Sequence, residues 1–200
     1  GGGLFITNSS PTLTNVLISK NRALSGDPGP GSPCDGGGAY IINSNPTFNN
    51  VTISNNYAHL KGGGIGCVGS TVTLNNSIIW GNKAAIGGNQ FYFFNSGTNL
   101  ILNNSCYSNE PEDTLTQGNP TFTPTSCITS NPKFVDTTYS DFRIYGNSPC
   151  VDAGHDDYND LTTDIRGTGF GRKLDKDDHT QIGTIDMGAY EYKEGTDPER

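Results

Sequence analysis

The chain is expected to fold as an all-β solenoid, a parallel β-helix ending in an irregular C-terminal cap, and three observations carry that expectation. A glycine triplet returns at Gly1-Gly2-Gly3, Gly36-Gly37-Gly38 and Gly62-Gly63-Gly64, then weakens to Gly87-Gly88. Each copy opens the same phrase: a short apolar run, punctuation by Asn, Ser or Gly, and a strand-like stretch crossing one or two Asn. Self-similarity at roughly 25 residues signals stacked units, none of which buries a core alone. Second, the aligned copies give columns of like residues. Third, no stretch of useful length has helical periodicity, while β-rich runs alternate with turn formers so that each unit holds about three strand-sized pieces.

In chain order, each unit opens with its glycines and an apolar run: Leu4-Phe5-Ile6, Ala39 to Ile42, Ile65 to Val68, Phe91 to Phe94. Ile6, Ile41 and Cys67 share a column, so Cys67 reads as a small buried hydrophobe. Next come the apolar columns Leu13/Phe48/Leu74/Leu102 and Ile18/Ile53/Ile79/Tyr107. Between them stand Asn15, Asn50, Asn76 and Asn104. Asn tolerates the left-handed conformation of a sharp bend and can bond its copy one rung away, so this column is expected to be a structural turn ladder. Asn21, Asn56, Asn82 and Asn109 form a second Asn column, with Ala23, Ala58 and Ala84 two residues later. The first unit is longer by a Gly/Pro/Ser stretch, Leu24 to Asp35, which reads as a loop bulging from a turn. The coils are expected to occupy residues 1–136 and to continue from further coils upstream, since an open first coil leaves strand edges unprotected.

Composition narrows the partners. Charged residues make up 16% of the chain and the net charge is −8. With few Lys or Arg and no basic stripe, nucleic acid and anionic membrane surfaces are poor partners. No stretch approaches the apolar length of a membrane span, so direct membrane insertion is not expected. Five cysteines, Cys34, Cys67, Cys106, Cys127 and Cys150, leave room for a disulfide in the second half without fixing its pairing.

Beyond about residue 110 the glycine phrase disappears. A series of segments follows: Asn131-Pro132-Lys133-Phe134-Val135-Asp136, Asp141-Phe142-Arg143-Ile144, Asn147 to Gly154, Thr163-Asp164-Ile165-Arg166-Gly167 and Asp186-Met187-Gly188-Ala189-Tyr190-Glu191. This order resembles the choice-of-anchor module that ends many bacterial right-handed parallel β-helix surface proteins, and the upstream coils resemble the generic repeat of the same proteins. The resemblance covers about residues 131–192 and departs from the usual spacing around Lys173 to Gln181. It implies a right-handed helix, export, and display on the outer-membrane surface of a bacterium, usually of the Bacteroidota or a similar group, with further domains in the same polypeptide. It implies no particular activity. Residues 137–192 are expected as a capping module and residues 193–200 as a polar linker or tail. Asp152, Asp164, Arg166, Asp186 and Glu191 are expected to knit the cap, carboxylates accepting backbone amides at tight turns and pairing with Arg143 or Arg166.

Candidate chemistry is sparse. Asp156, Asp157 and Asp160 offer oxygen ligands for calcium, but the run lacks the Asp-x-Asp-x-Asp-Gly loop of an EF-hand, so a solvated acidic loop is the first reading and no cofactor is expected. The coils stack no acid on a base, and no nucleophile signature accompanies His155 or His179. No catalytic residue is therefore assigned. Aromatic side chains beside Asn amides suit sugar rings, which present apolar C–H faces and hydroxyls, and Trp80, Tyr57 and Tyr92 are the candidates, with Trp80 expected to be exposed. The expected function is a non-catalytic, exported β-helix segment, an adhesin stalk or a module binding glycan or a cell-surface protein. The alternative is a polysaccharide lyase or glycoside hydrolase whose active site lies in upstream coils or is not recognisable in these.

Overall fold

The computed structural model describes residues 1–24, 35–172 and 184–198. Most of the Leu24 to Asp35 insertion with Cys34, and the stretch from Lys173 that carries Asp175, Asp177, Asp178 and His179, lie outside the described residues. The first coil holds β1 (Leu4–Thr7), β2 (Thr12–Thr14), β3 (Leu17–Ser19) and β4 (Arg22–Ala23), and the second β5 (Ala39–Ile42), β6 (Thr47–Asn49), β7 (Thr52–Ser54) and β8 (Tyr57–Ala58). The third holds β9 (Ile65–Val68), β10 (Thr71–Asn75), β11 (Ile78–Trp80) and β12 (Lys83–Ala84). The fourth keeps β13 (Phe91–Phe94), β14 (Asn99–Asn103) and β15 (Cys106–Tyr107), and the fifth β16 (Thr114–Gln117) and β17 (Thr121–Thr125). Each strand pairs in parallel with its counterpart in the next coil, giving sheets β1-β5-β9-β13-β16, β2-β6-β10-β14-β17, β3-β7-β11-β15 and β4-β8-β12. The chain is a parallel β-helix. A coil has four strand faces where three were expected, the fourth being only two residues long.

The register is that of the sequence columns. Leu13 lies against Phe48, Phe48 against Leu74 and Leu74 against Leu102. Ile18, Ile53, Ile79 and Tyr107 stack likewise, as do Ile6, Ile41 and Cys67. Because side chains alternate across a strand, one residue in two enters the interior, and these columns form one continuous core. Corners fall where the backbone turns left-handed: Asn8, Asn43, Gly69 and Asn95 after the first sheet, Asn15, Asn50, Asn76 and Asn104 after the second, Lys20, Asn55 and Gly81 after the third. Asn supplies most of them because it occupies that region at low steric cost. The recurring glycines have a different cause. A Cβ on Gly37 would lie 2.4 Å from the Gly63 carbonyl oxygen and 2.5 Å from Tyr57 C, so neighbouring backbones meet there with no room for a side chain.

Asn21, Asn56 and Asn82 point inward as an amide ladder, Asn56 and Asn82 buried and Asn21 half-buried. Asn21 Nδ2 donates to Asn56 Oδ1 at 3.0 Å and Asn56 Nδ2 to Asn82 Oδ1 at 2.9 Å. Gln90 and Asp113 extend the ladder, while Asn109 is exposed and outside it. The hydrogen-bonded rungs are 35 residues apart across the first step and 26 across the second, so the insertion is absorbed without disturbing the stack.

The C-terminal segment differs from expectation in place and in extent. Parallel stacking ends with β17 and a bridge between Cys106 and Ile128. Residues 134–136, expected to belong to the coils, form β18 (Phe134–Asp136), antiparallel to β19 (Asp141–Ile144). The segment does not sit across the end of the core. It runs along the flank of the third sheet, where Cys150, Met187, Tyr192 and Ile144 cover the outward faces of Ile78 and Cys106. A Cβ on Gly188 would lie 2.8 Å from Ile78 Cδ1 and 2.9 Å from Thr52 Oγ1, which fits the closeness of this docking, and its φ of 95° favours glycine independently. Residues 193–198, expected as a tail, are tied in as well: Asp197 is buried and pairs with Arg143 and Arg166 at 3.0 and 2.9 Å. Among the described residues no helix is long and apolar enough to cross a membrane.

Candidate functional site

The flank docking is built on the corner Asn column, and here the expected turn ladder is corrected. Asn15, Asn50, Asn76 and Asn104 have φ between 45 and 53°, as sharp corners require. For three of them the side chain turns outward to the C-terminal module, not to its copy one rung away. Asn76 donates to the His155 carbonyl at 2.9 Å and accepts from the His155 amide at 2.8 Å, pairing with that backbone as a strand would. Asn50 Nδ2 reaches Asn159, while its Oδ1 is buried without a partner. Asn15 donates to Thr163 O at 2.7 Å and accepts from Arg172 at 2.6 Å. A left-handed corner projects its side chain out of the coil, away from the hydrogen-bond direction of the sheet. The ladder role belongs to other polar residues, including Asn49, Asn75 and Asn103.

Behind this strip the module is held by buried charge. Asp164 accepts from Arg166 N and Nε and from the Glu191 amide, at 2.7, 2.8 and 2.9 Å. Asp186, fully enclosed, accepts from the amides of Asp152 and Tyr192, and Glu191 accepts from the Asp186 amide and from Arg172. Burial, with Glu191 beside it, pushes the Asp186 carboxyl well above the usual carboxylate range. Arg172, which sequence reasoning passed over, is buried and joins Glu191, the Gly188 carbonyl and Asn15, binding module to first coil. At the outer edge, hydrogen bonding to Arg143 holds the Asp141 carboxyl below its ordinary value. Arg143, Arg166 and Arg172 pair with Asp141, Asp164, Asp197 and Glu191 inside the module.

Where the module swings away from the third sheet, a cleft of about 600 Å³ opens. Ser54, Asn55, Trp80 and Gly81 form its solenoid wall, and Asn131, Lys133, Phe134, Thr137, Tyr145 and Asn147 its module wall. Trp80 follows Ile79 on β11. Ile79 points into the core, so Trp80 must point out, above Ser54 in the register. It is half-buried, where full exposure was expected, because Phe134 and its neighbours pack against the same outer cluster. Lys133 is the one formal cation that the described residues place in the wall, and its Nζ is engaged with the Asn147 carbonyl at 2.8 Å. Among the described residues no Asp, Glu or His lines the cleft.

The other aromatic candidates lie elsewhere. Tyr57 stands on the outer face of the fourth sheet with Arg22 stacked 5.0 Å from its ring. Tyr92 is buried on the outer face of the first sheet, bonded to Gln117 and covered by Lys61 at 4.8 Å; desolvation pushes its hydroxyl pKa up to about 12. The structure therefore does not gather Trp80, Tyr57 and Tyr92 into one site. Trp80 instead meets Phe134, Asn131 and Asn147, whose segments were noted as module signatures with no signal that they face it, and Tyr145, which falls between two of those segments. Asp156 and Asp157 form an exposed one-turn 3₁₀ helix with Tyr158, Asp160 is exposed nearby, and no group of three or more metal-ligating side chains converges among the described residues. Comparison with protein-family models, curated proteins and solved structures returns no match.

Proposed function

We propose that this chain is a non-catalytic segment of an exported, surface-displayed β-helix protein, and that it binds neutral glycan in the Trp80 cleft. The composition of the cleft carries the reading. Trp80, Phe134 and Tyr145 offer apolar ring faces, while the amides of Asn55, Asn131 and Asn147 and the hydroxyls of Ser54 and Thr137 stand beside them. A sugar ring presents apolar C–H faces and equatorial hydroxyls, which this mixture matches. A glycosidase would need two carboxylates flanking the bond, and among the described residues none lines the walls. The rigid sheet beneath holds Trp80 in place before any ligand arrives, so little ordering entropy opposes binding.

The test is a screen of neutral oligosaccharides on the wild-type chain and Trp80→Ala. Loss of one dominant aromatic contact, on the order of 2 kcal/mol, lowers affinity roughly thirtyfold while circular dichroism is unchanged. Glycan binding that survives in Trp80→Ala, or no binding across the screen, rejects the cleft as the site.

A further inference from the structure

The four described cysteines are free thiols, but two of them meet across the seam between solenoid and module. Cys106 occupies the outward position of β15, in line with Ile78, and Cys150 comes down on it from the docked segment. Both are wholly buried in the same apolar cluster. The Cys106 thiol donates to the Ser130 carbonyl at 3.3 Å, and the Cys150 thiol lies beside it in the same dry cluster. On either side the backbone is fixed: the Cys106 amide bonds Ser77 O at 2.8 Å, and the Cys150 carbonyl accepts from Met187 at 3.0 Å. Cys67 lies alone inside the coils, and Cys127 bonds the Leu102 and Thr125 carbonyls at the core's end.

We propose that Cys106 and Cys150 form a redox-controlled disulfide that staples the C-terminal module to the flank of the β-helix. The oxidant is a small-molecule disulfide of the glutathione class. One protein thiolate attacks it and expels a thiolate. The second protein thiolate then attacks the mixed disulfide and expels the other, so two protein thiols lose two protons and two electrons while one small disulfide becomes two thiols. The thiolate is the attacking species, and burial with the neighbouring cysteine disfavours it at Cys106. The bond consequently closes before docking is complete or during transient opening. Once the seam is dry, reduction requires the same transient opening that lets the bond close.

The chain is unfolded and refolded in a buffer of oxidised and reduced glutathione, and the product is digested under non-reducing conditions and mapped by mass spectrometry. The expected product is a peptide joining Cys106 to Cys150 and lighter by two hydrogens. The oxidised chain should melt higher than the same chain reduced, by on the order of 10 °C for a closed loop of this length. Cys106→Ala/Cys150→Ala should show no such redox difference, and Cys127→Ala should keep it. Both thiols alkylatable after denaturation of the oxidised product, or linkage of Cys34, Cys67 or Cys127 in place of this pair, overturns the proposal.

Discussion

Replacing Asn56 with Ala removes the middle rung of the amide ladder, and the cost can be worked from its bonds. Asn56 Oδ1 accepts from Asn21 N and Asn21 Nδ2, each at 3.0 Å, and its Nδ2 donates to Asn82 Oδ1 and to Ile18 O, each at 2.9 Å. Four bonds at about 1 kcal/mol each come to about 4 kcal/mol at most: the Asn82 and Ile18 groups left behind are buried where water cannot replace the lost partner, while half-buried Asn21 is partly rehydrated. Asn21→Ala removes one of the same bonds, and Asn56 Oδ1 keeps the Asn21 amide, so about 1 kcal/mol is expected there. Equilibrium unfolding in urea, followed by tryptophan fluorescence and circular dichroism, gives both values from midpoint shifts at constant slope. Against a total stability of about 5–15 kcal/mol, the gap between the variants is large. If Asn56→Ala costs no more than Asn21→Ala, the ladder does not stabilise the coils as argued. Asn56→Asp is a second probe: it keeps the acceptor toward Asn21 but sets oxygen against Asn82 Oδ1 and Ile18 O, so it should unfold more readily at neutral pH than in acid.

Three further outcomes follow from the flank and the cleft. Asn76→Gly, which keeps the left-handed corner, should cost about 2 kcal/mol through loss of both His155 bonds; Asn50→Gly should cost less, because Asn50 makes one such bond and leaves an oxygen unpaired. Limited proteolysis should then cut the first variant preferentially after residue 130, and equal cutting would argue against the corner Asn column as the docking strip. Asp141 has a lowered pKa through Arg143, so its contribution is present above the unfolded carboxylate value near 3.9 and is lost as pH falls through its folded value. Asp186, with a raised pKa, works in the opposite sense and loses stability as pH rises through its folded value. Asp141→Asn should therefore lower the melting temperature at pH 7 and flatten its fall as pH drops below about 4; a fall as steep as wild type removes Asp141 from the account. After refolding in the glutathione buffer, the Cys106–Cys150 staple should add about 4 kcal/mol, read as a higher urea midpoint than that of the reduced chain.

The coils were legible in the sequence because stacking repeats the same environment. A residue whose neighbours above and below are its own counterparts leaves a column, and Leu13/Phe48/Leu74/Leu102 could be paired before any coordinates existed. The Asn corners were legible for the same reason, since a left-handed bend restricts the residue type locally. What those Asn side chains bond was not. Asn76 and His155 lie 79 residues apart, and nothing in either segment marks the other.

The sequence by itself therefore determined the β-helix, its register and its corners, all of which rest on local conformation and on period. Only the tertiary structure decided where the C-terminal segment goes. The charged residues of that segment suit an end cap and a flank equally well by type, and the choice was made by shape: glycine at 188 lets its backbone settle on Ile78 and Thr52, and Arg172 reaches as far as Asn15. The Trp80 cleft is a consequence of that docking. Its two walls come from segments without periodic relation, brought together by burial of an apolar face that neither wall encodes alone.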